Sequence, residues 1–212
     1  MLRSLRVVAL SDTHGLHRAV AVPPGDVLIH AGDLTRHGDL GELPEINAWL
    51  GGLPHRHKIV IAGNHDWCFA HGADACAALL SHASYLQDAA ITLDGWTFYG
   101  SPWTPQFFDW AFNLPRGEPL ARKWAQIPVG TDVLITHGPP RRHGDYTMHS
   151  VRAGCADLLA AVTRIQPRYH VFGHIHEGAG ITTNEVTTFI NASVVDVTYA
   201  PIHPPVVFDL LP

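Results

Sequence analysis

Lys58-Ile59-Val60-Ile61-Ala62-Gly63-Asn64-His65-Asp66 decides how this chain is read. A continuous, β-branched apolar run breaks at a glycine into an amide, an imidazole and a carboxylate. Runs of this length suit a strand buried on both faces. The same pattern occurs four more times. Arg6-Val7-Val8-Ala9-Leu10 leads into Ser11-Asp12-Thr13-His14, and Asp26-Val27-Leu28-Ile29 into His30-Ala31-Gly32-Asp33. Asp132-Val133-Leu134-Ile135 leads into Thr136-His137-Gly138-Pro139-Pro140, and Tyr169-His170-Val171-Phe172 into Gly173-His174-Ile175-His176. In open α/β sheets, ligands bind beyond the carboxyl ends of the strands. Every polar cluster follows the carboxyl end of its run. Five loops are therefore expected to converge on one edge, carrying Asp12, His14, Asp33, Asn64, His65, Asp66, His137, His174 and His176.

Helical patterns fill the intervals. They are expected over 42–50, 74–81, 118–126 and 153–165, the last with Leu158, Leu159 and Val162 on one side. Alternating strands and helices imply an α/β fold. Extra strand content is expected where Asp94-Gly95 joins Ile91–Leu93 to Trp96–Tyr99 as a hairpin. Runs at Thr187–Asn191, Val194–Tyr199 and Val206–Asp209 add more. Two packed sheets with helices outside accommodate the total. No linker or repeat interrupts the chain, so residues 1–212 read as one domain.

Composition narrows the chemistry. The 212 residues are 46% hydrophobic and 16% charged, which is normal for a globular domain. Formal charge is -5 and the only lysines are Lys58 and Lys123, so neither a basic nucleic-acid groove nor a polybasic membrane anchor is expected. Cys68, Cys76 and Cys155 form no CxxC pair and suit free thiols in a reducing, cytoplasmic setting. The apolar run within Met1–Leu10 ends too soon for a signal peptide. Sixteen histidines are the outlying feature. Imidazoles and carboxylates are ligands of borderline divalent metals, and the converging set exceeds what one tetrahedral zinc can use. Glycines beside the candidate ligands let backbone approach closely.

Asp-x-His, Gly-Asp, Gly-Asn-His-Asp, His-Gly and Gly-His-x-His, in this order, resemble the calcineurin-like metallophosphoesterases. Longer stretches such as Asp109-Trp110-Ala111-Phe112-Asn113-Leu114-Pro115-Arg116-Gly117 and Ile190-Asn191-Ala192-Ser193 extend the resemblance over nearly the whole chain. They are similar to a subgroup related to class III cyclic nucleotide phosphodiesterases. The resemblance implies a four-layer αββα sandwich holding two divalent ions, manganese first, with iron, zinc or nickel as alternatives. Asp12, His14 and His176 would hold one ion, Asn64, His137 and His174 the other, and Asp33 would bridge them. It further implies in-line attack by a hydroxide shared between the metals, with His65 protonating the leaving group and Asp66 orienting His65. Small phosphodiesters, cyclic nucleotides among them, are the expected substrates. A phosphomonoesterase or nucleotidase using the same site is the alternative, and a metal-dependent binding module the more distant one. No stable nucleic-acid complex and no membrane association are expected, and homo-oligomerisation is left open. Arg141, Arg142 and His143, just after His137, are weaker candidates for substrate binding. Trp103, Phe107, Phe108, Trp110 and Phe112 read as a core or interface cluster, with base stacking as the alternative.

Overall fold

In strand β1 (Leu5–Leu10) alternate side chains enter different cores. Val7 and Ala9 belong to one buried cluster, Val8 and Leu10 to another. This is the period of two of an extended chain, with both faces covered. The same division holds in β2 (Val27–His30), where Ile29 and Leu28 part company, and in β3 (His57–Val60), where Ile59 and Val60 do. The computed structural model describes residues 2–212; Met1, with which the N-terminal expectation begins, lies outside the described residues.

Helices α1 (Leu43–Gly52) and α2 (Trp67–Leu79) cover the outer face of this sheet. Leu43, Ile46, Leu50, Phe69 and Cys76 pack there against Val8, Leu28 and Val60. The short β4 (Ser84–Tyr85) forms one edge of this sheet. The chain then enters a second sheet through the expected hairpin, β5 (Ala89–Leu93) and β6 (Trp96–Ser101). A two-stranded ribbon, β7 (Thr104–Pro105) with β8 (Asn113–Leu114), precedes α3 (Glu118–Trp124). Strand β9 (Val133–Thr136), helix α4 (Ala156–Ile165) and strand β10 (Tyr169–Phe172) follow. The chain closes with β11 (Gly180–Thr183), β12 (Thr188–Asn191) and β13 (Val206–Leu210).

Strand order is β13-β1-β2-β3-β4 in one sheet and β11-β12-β10-β9-β6-β5 in the other. β1 through β4 are parallel, as are β6, β9, β10 and β12; β5, β11 and β13 run antiparallel to their neighbours. Between the sheets lie Val7, Ile29, Ile59, Phe98, Ile135, Val171 and Ile190. Leu120, Trp124, Leu158 and Val162 cover the far face against Leu134, Phe172 and Phe189. The layers are thus helix, sheet, sheet, helix, as expected.

Two local expectations change. Val194–Tyr199 is not a strand. The Asp196 carboxylate accepts hydrogen bonds from Thr198 N–H, Thr198 O–H and Ala200 N–H at 2.7–3.0 Å, which turns the chain instead. Helix α2 begins at Trp67, well before Asp74, because Cys68 and Phe69 are drawn into the helix–sheet core; its kink falls at Gly72.

One buried histidine makes the fold acid-sensitive. His170 lies in β10, and its Nε2–H donates to Thr136 Oγ1 at 2.8 Å, because the Thr136 hydroxyl proton is given to the Gly138 carbonyl. Burial, with a smaller push from His143, lowers the His170 pKa from 6.5 to about 3. The folded chain therefore binds fewer protons here than the unfolded chain between those values. This contribution is complete above pH 6.5 and drains away as pH falls toward 3, by on the order of 1 kcal/mol per unit. Chemical denaturation of His170→Phe across this range is expected to show a shallower acid decline than the parent; an identical slope would refute it.

Candidate metal centre

Parallel pairing brings the carboxyl ends together, and backbone bonds lock the loops to one another. Asp12 N–H donates to Gly32 O at 3.0 Å, His14 N–H to Asp33 O at 3.0 Å, and Gly173 N–H to His137 O at 2.9 Å. The two sheets meet here: His174 N–H donates to both Asp12 carboxylate oxygens, at 3.0 and 3.1 Å. Asp12, His14, Asp33 and His174 all hold φ between 43° and 69°. That region costs a non-glycine residue roughly 1 kcal/mol or more and is tolerated where surroundings over-determine it. It aims four polar side chains inward within a few residues of strand ends.

Close approach also requires glycine. A Cβ on Gly63 would lie 2.3 Å from Asp33 Oδ1 and 2.5 Å from its nitrogen, and one on Gly173 would lie 2.2 Å from Asp12 Oδ2. Gly63→Ala must displace Asp33. It is expected to cost about 1–3 kcal/mol and to reduce bound metal. Thermal melts and elemental analysis read both, and retention of the parent's metal content would contradict this packing.

Three sets of donor atoms lie within 4.8 Å of one another: Asp12, His14 and His176; Asp12, Asp33 and His137; and His14, Asp33 and His65. Asp33 belongs to two of them. Its Oδ1 accepts His65 N–H at 2.8 Å, while its Oδ2 lies 3.6 Å from His14 Nε2 and 3.4 Å from His137 Nε2. Asn64 Oδ1 is 2.9 Å from His137 Nε2, and His174 packs its ring on His137 with centroids 5.0 Å apart. All seven expected ligand positions therefore meet at one edge, although His174 and the amide of Asn64 are outside the three tight sets.

Electrostatics test whether cations fit. Burial lowers His14 to about 4 against the opposing charges of Asp33 and Asp12, so its ring is neutral at neutral pH. Both of its ring nitrogens are buried without a hydrogen-bond partner. A neutral imidazole with an unused lone pair beside two buried carboxylates fits a cation. His174 is likewise lowered to about 3 by burial and the neighbouring His137. His137 differs: burial would lower it, but Asp33 and Asp12 together raise it to about 9, and the same pairing holds Asp33 well below the usual carboxylate range despite its own burial. The ring orientations are set by backbone carbonyls. His137 Nδ1 meets Ala31 O, and His176 Nδ1 meets Asp196 O, each at 3.0 Å. Nδ1–H donation there leaves Nε2 as the ring atom turned to the cluster.

The calcineurin-like phosphoesterase model matches residues 5–178, most of the chain. The chain belongs to that family. This phosphoesterase is a metal-dependent hydrolase of phosphoric esters, with a His/Asp cluster able to hold divalent ions. Metallophosphoesterase domain-containing protein 1 of Homo sapiens is 46% identical over 97% of this chain and 71% of its own length. UPF0046 protein C25E10.12 of Caenorhabditis elegans is 43% identical over 97% and 81%. Among solved structures, TT1561 of Thermus thermophilus superposes with a TM-score of 0.61 at 13% identity, covering 89% of each chain. Another reaches 0.67 at 16% identity, covering 97% of this chain and 99% of its own. At such identities the likeness concerns the fold.

Beside the phosphoesterase cluster lies a cavity of about 410 Å³, lined by His14, Leu16, Arg36, His37, His65, Trp110, Thr198 and Tyr199. His65 stacks on Trp110, centroids 4.4 Å apart and planes at 26°, and its Nδ1 faces Arg36 O at 3.4 Å. Tyr199 sets its ring edge-on to His14 at 4.7 Å and His176 at 5.4 Å.

Several expectations are corrected here. Asp66 does not orient the His65 ring. Its buried carboxylate instead accepts from Gly63 N–H, Leu34 N–H, Thr35 N–H and Thr35 O–H at 2.6–3.2 Å, tying the loops of Asp33 and Asn64 together. Burial and the charge of Asp33 raise its pKa to about 6, against those bonds. Arg141, Arg142 and His143 do not line the cavity. Both arginines are exposed. The His143 ring is committed to Phe189, stacked at 3.6 Å, and to Thr182 Oγ1 at 3.0 Å. The cavity's arginine is Arg36, which sequence reasoning passed over. The aromatic stretch divides as well. Phe112 is buried, Phe107 and Phe108 are exposed, and Trp110 meets the site. Tyr199 was hidden inside an expected strand; the Asp-x-Thr turn signal at Asp196 was its only trace.

Proposed function

We propose that this chain hydrolyses small phosphodiesters, cyclic nucleotides among them. The observation that carries the reading is the composition of the cavity: one arginine and two aromatic rings beside the His/Asp cluster. A single guanidinium suits the one negative charge of a diester better than the two of a monoester, and aromatic walls suit a nucleoside or aryl group.

In this reading Asp12, His14 and His176 hold one cation, Asn64, His137 and His174 a second, and Asp33 serves both; manganese is the first choice for their identity. Such ions supply an activated water and neutralise charge building on the phosphoryl oxygens. The chain supplies position and a proton. With Nδ1–H turned to Arg36 O and one ring face on Trp110, His65 keeps Nε2 free, and the doubly protonated ring gives its Nε2 proton to the departing oxygen. The Asp66 carboxylate holds the Asp33 and Asn64 loops in register, so its contribution is to geometry. The three free, buried cysteines support a reducing, cytoplasmic setting. No helix among the described residues is long and apolar enough to cross a membrane.

The deciding experiment compares bis-p-nitrophenyl phosphate with p-nitrophenyl phosphate, then 2′,3′- with 3′,5′-cyclic nucleotides, across a panel of metals. The diester should turn over faster, with kcat/KM at least about tenfold higher, a difference of roughly 1.4 kcal/mol in the barrier. Faster monoester turnover at saturating metal would replace this reading with a phosphomonoesterase.

A further inference from the structure

We propose a second anion site, for a phosphate group, at the amino end of β3, the opposite end of that strand from the metal centre. The strand begins at His57 and passes Val60 before reaching Asn64 and His65. A groove of about 370 Å³ opens at its start, lined by the polar residues Arg56, His57, Lys58, Ser81, His82 and Ser84 together with Ile59, Ala83 and Leu93.

Lys58 carries the argument. Lys123, the other lysine, lies 2.7 Å from Asp88 Oδ2 and sits over the Trp103 ring. Lys58 is half-buried, and among the described residues no carboxylate pairs with it; its Nζ donates only to His55 O, at 2.9 Å. Burial accordingly lowers its pKa. A partly desolvated ammonium without a counter-charge is costly, and a bound anion removes the cost. One carboxylate stands near the groove: Asp94 pairs with Arg56 and lies 3.8 Å from His57 Nε2. It offsets one cation of two, leaving the Lys58 charge and two imidazoles.

The groove is also built. Asn47 holds both sides of the 81–82 turn, accepting His82 N–H at Oδ1, 3.0 Å away, and donating from Nδ2 to Ser81 Oγ at 3.1 Å. Ser81 Oγ is thereby an acceptor toward Asn47, and its own proton is free for a ligand. No acidic side chain lines the wall, which disfavours a metal ion or a cationic peptide. Guanidinium, ammonium and hydroxyl donors around one concavity match a tetrahedral phosphate. The phosphate can come from inorganic phosphate or from a phosphomonoester, the product class of a phosphodiesterase. The site itself does not depend on that activity.

The test titrates inorganic phosphate, and in parallel adenosine monophosphate, into metal-free protein kept in EDTA, followed by amide NMR. Expected are saturable shifts at His57, Lys58 and His82, weakened at least tenfold in Lys58→Met, restored in Lys58→Arg and kept in Asp33→Asn. Equal affinity for the two probes assigns free phosphate; tighter binding of the nucleotide assigns a phosphomonoester. Lys58→Met should leave bis-p-nitrophenyl phosphate hydrolysis unchanged. The proposal is overturned by undiminished binding in a folded Lys58→Met, by equal shifts with chloride at matched ionic strength, or by shifts confined to the metal centre. Inactivity toward diesters would instead count against the proposed activity alone.

Discussion

Asp33→Asn should empty both halves of the metal centre at once. Asp33, like Asp12 and His14, belongs to two of the three donor sets, and both its oxygens are engaged: Oδ2 faces His14 at 3.6 Å and His137 at 3.4 Å, while Oδ1 accepts the His65 backbone N–H at 2.8 Å. An amide in its place removes a full negative charge from a buried cluster. It also turns an NH₂ group either toward the histidines or against the His65 N–H. Either orientation leaves two donors facing each other or a cation site without its anion. Bound metal, counted by elemental analysis after gel filtration, should fall for both ions together. kcat/KM should drop by at least on the order of 10²–10³. Two tightly held ions in a folded Asp33→Asn protein would refute the bridging role.

His65→Ala should separate substrates by leaving group. With poor, alkoxide leaving groups the loss is expected at about 10²–10⁴-fold; with p-nitrophenolate, which departs without a proton, it should be under about tenfold. The prediction rests on the ring's placement, stacked on Trp110 and anchored at Arg36 O beside His14 and Asp33. The metal content of His65→Ala must be measured alongside, because a donor atom of His65 is also within 4.8 Å of donor atoms of His14 and Asp33. Equal loss on all esters with metal retained would remove the proton-donor role. Loss of metal would reassign His65 as a ligand.

The layered architecture was legible in the sequence because its strands are buried on both faces. Burial on two sides demands continuous apolar runs, and Val7-Val8-Ala9-Leu10 or Val133-Leu134-Ile135 would leave one face of an exposed sheet greasy. That polar residues after these runs gather at one edge was legible for a related reason; which seven of them would be ligands came from the family resemblance alone. Strand ends are where α/β folds bind ligands, so a His, Asp or Asn following such a run already has an address. Where local hydrogen bonding competes with sheet pairing, the pattern fails. Val194–Tyr199 reads as a strand by residue type, yet the Asp196 carboxylate turns it and delivers Tyr199 to the site.

Side-chain partnership was the part that could not be read along the chain. Asp66 adjoins His65, and adjacency suggested that one orients the other. In the fold the carboxylate points back to Thr35 and Gly63, while the imidazole leans on Trp110, more than forty positions away. Arg141 and Arg142 follow the candidate ligand His137 within a few residues but are exposed, and Arg36 takes the place by the cavity. By itself the sequence determined the strands and their polar ends, since periodicity and residue type are local properties, and the order of its motifs carried the resemblance to the metallophosphoesterases. Only the tertiary structure decided which groups neutralise, orient and wall the site. Those depend on distances between segments remote in the chain, and on the burial that sets each group's charge.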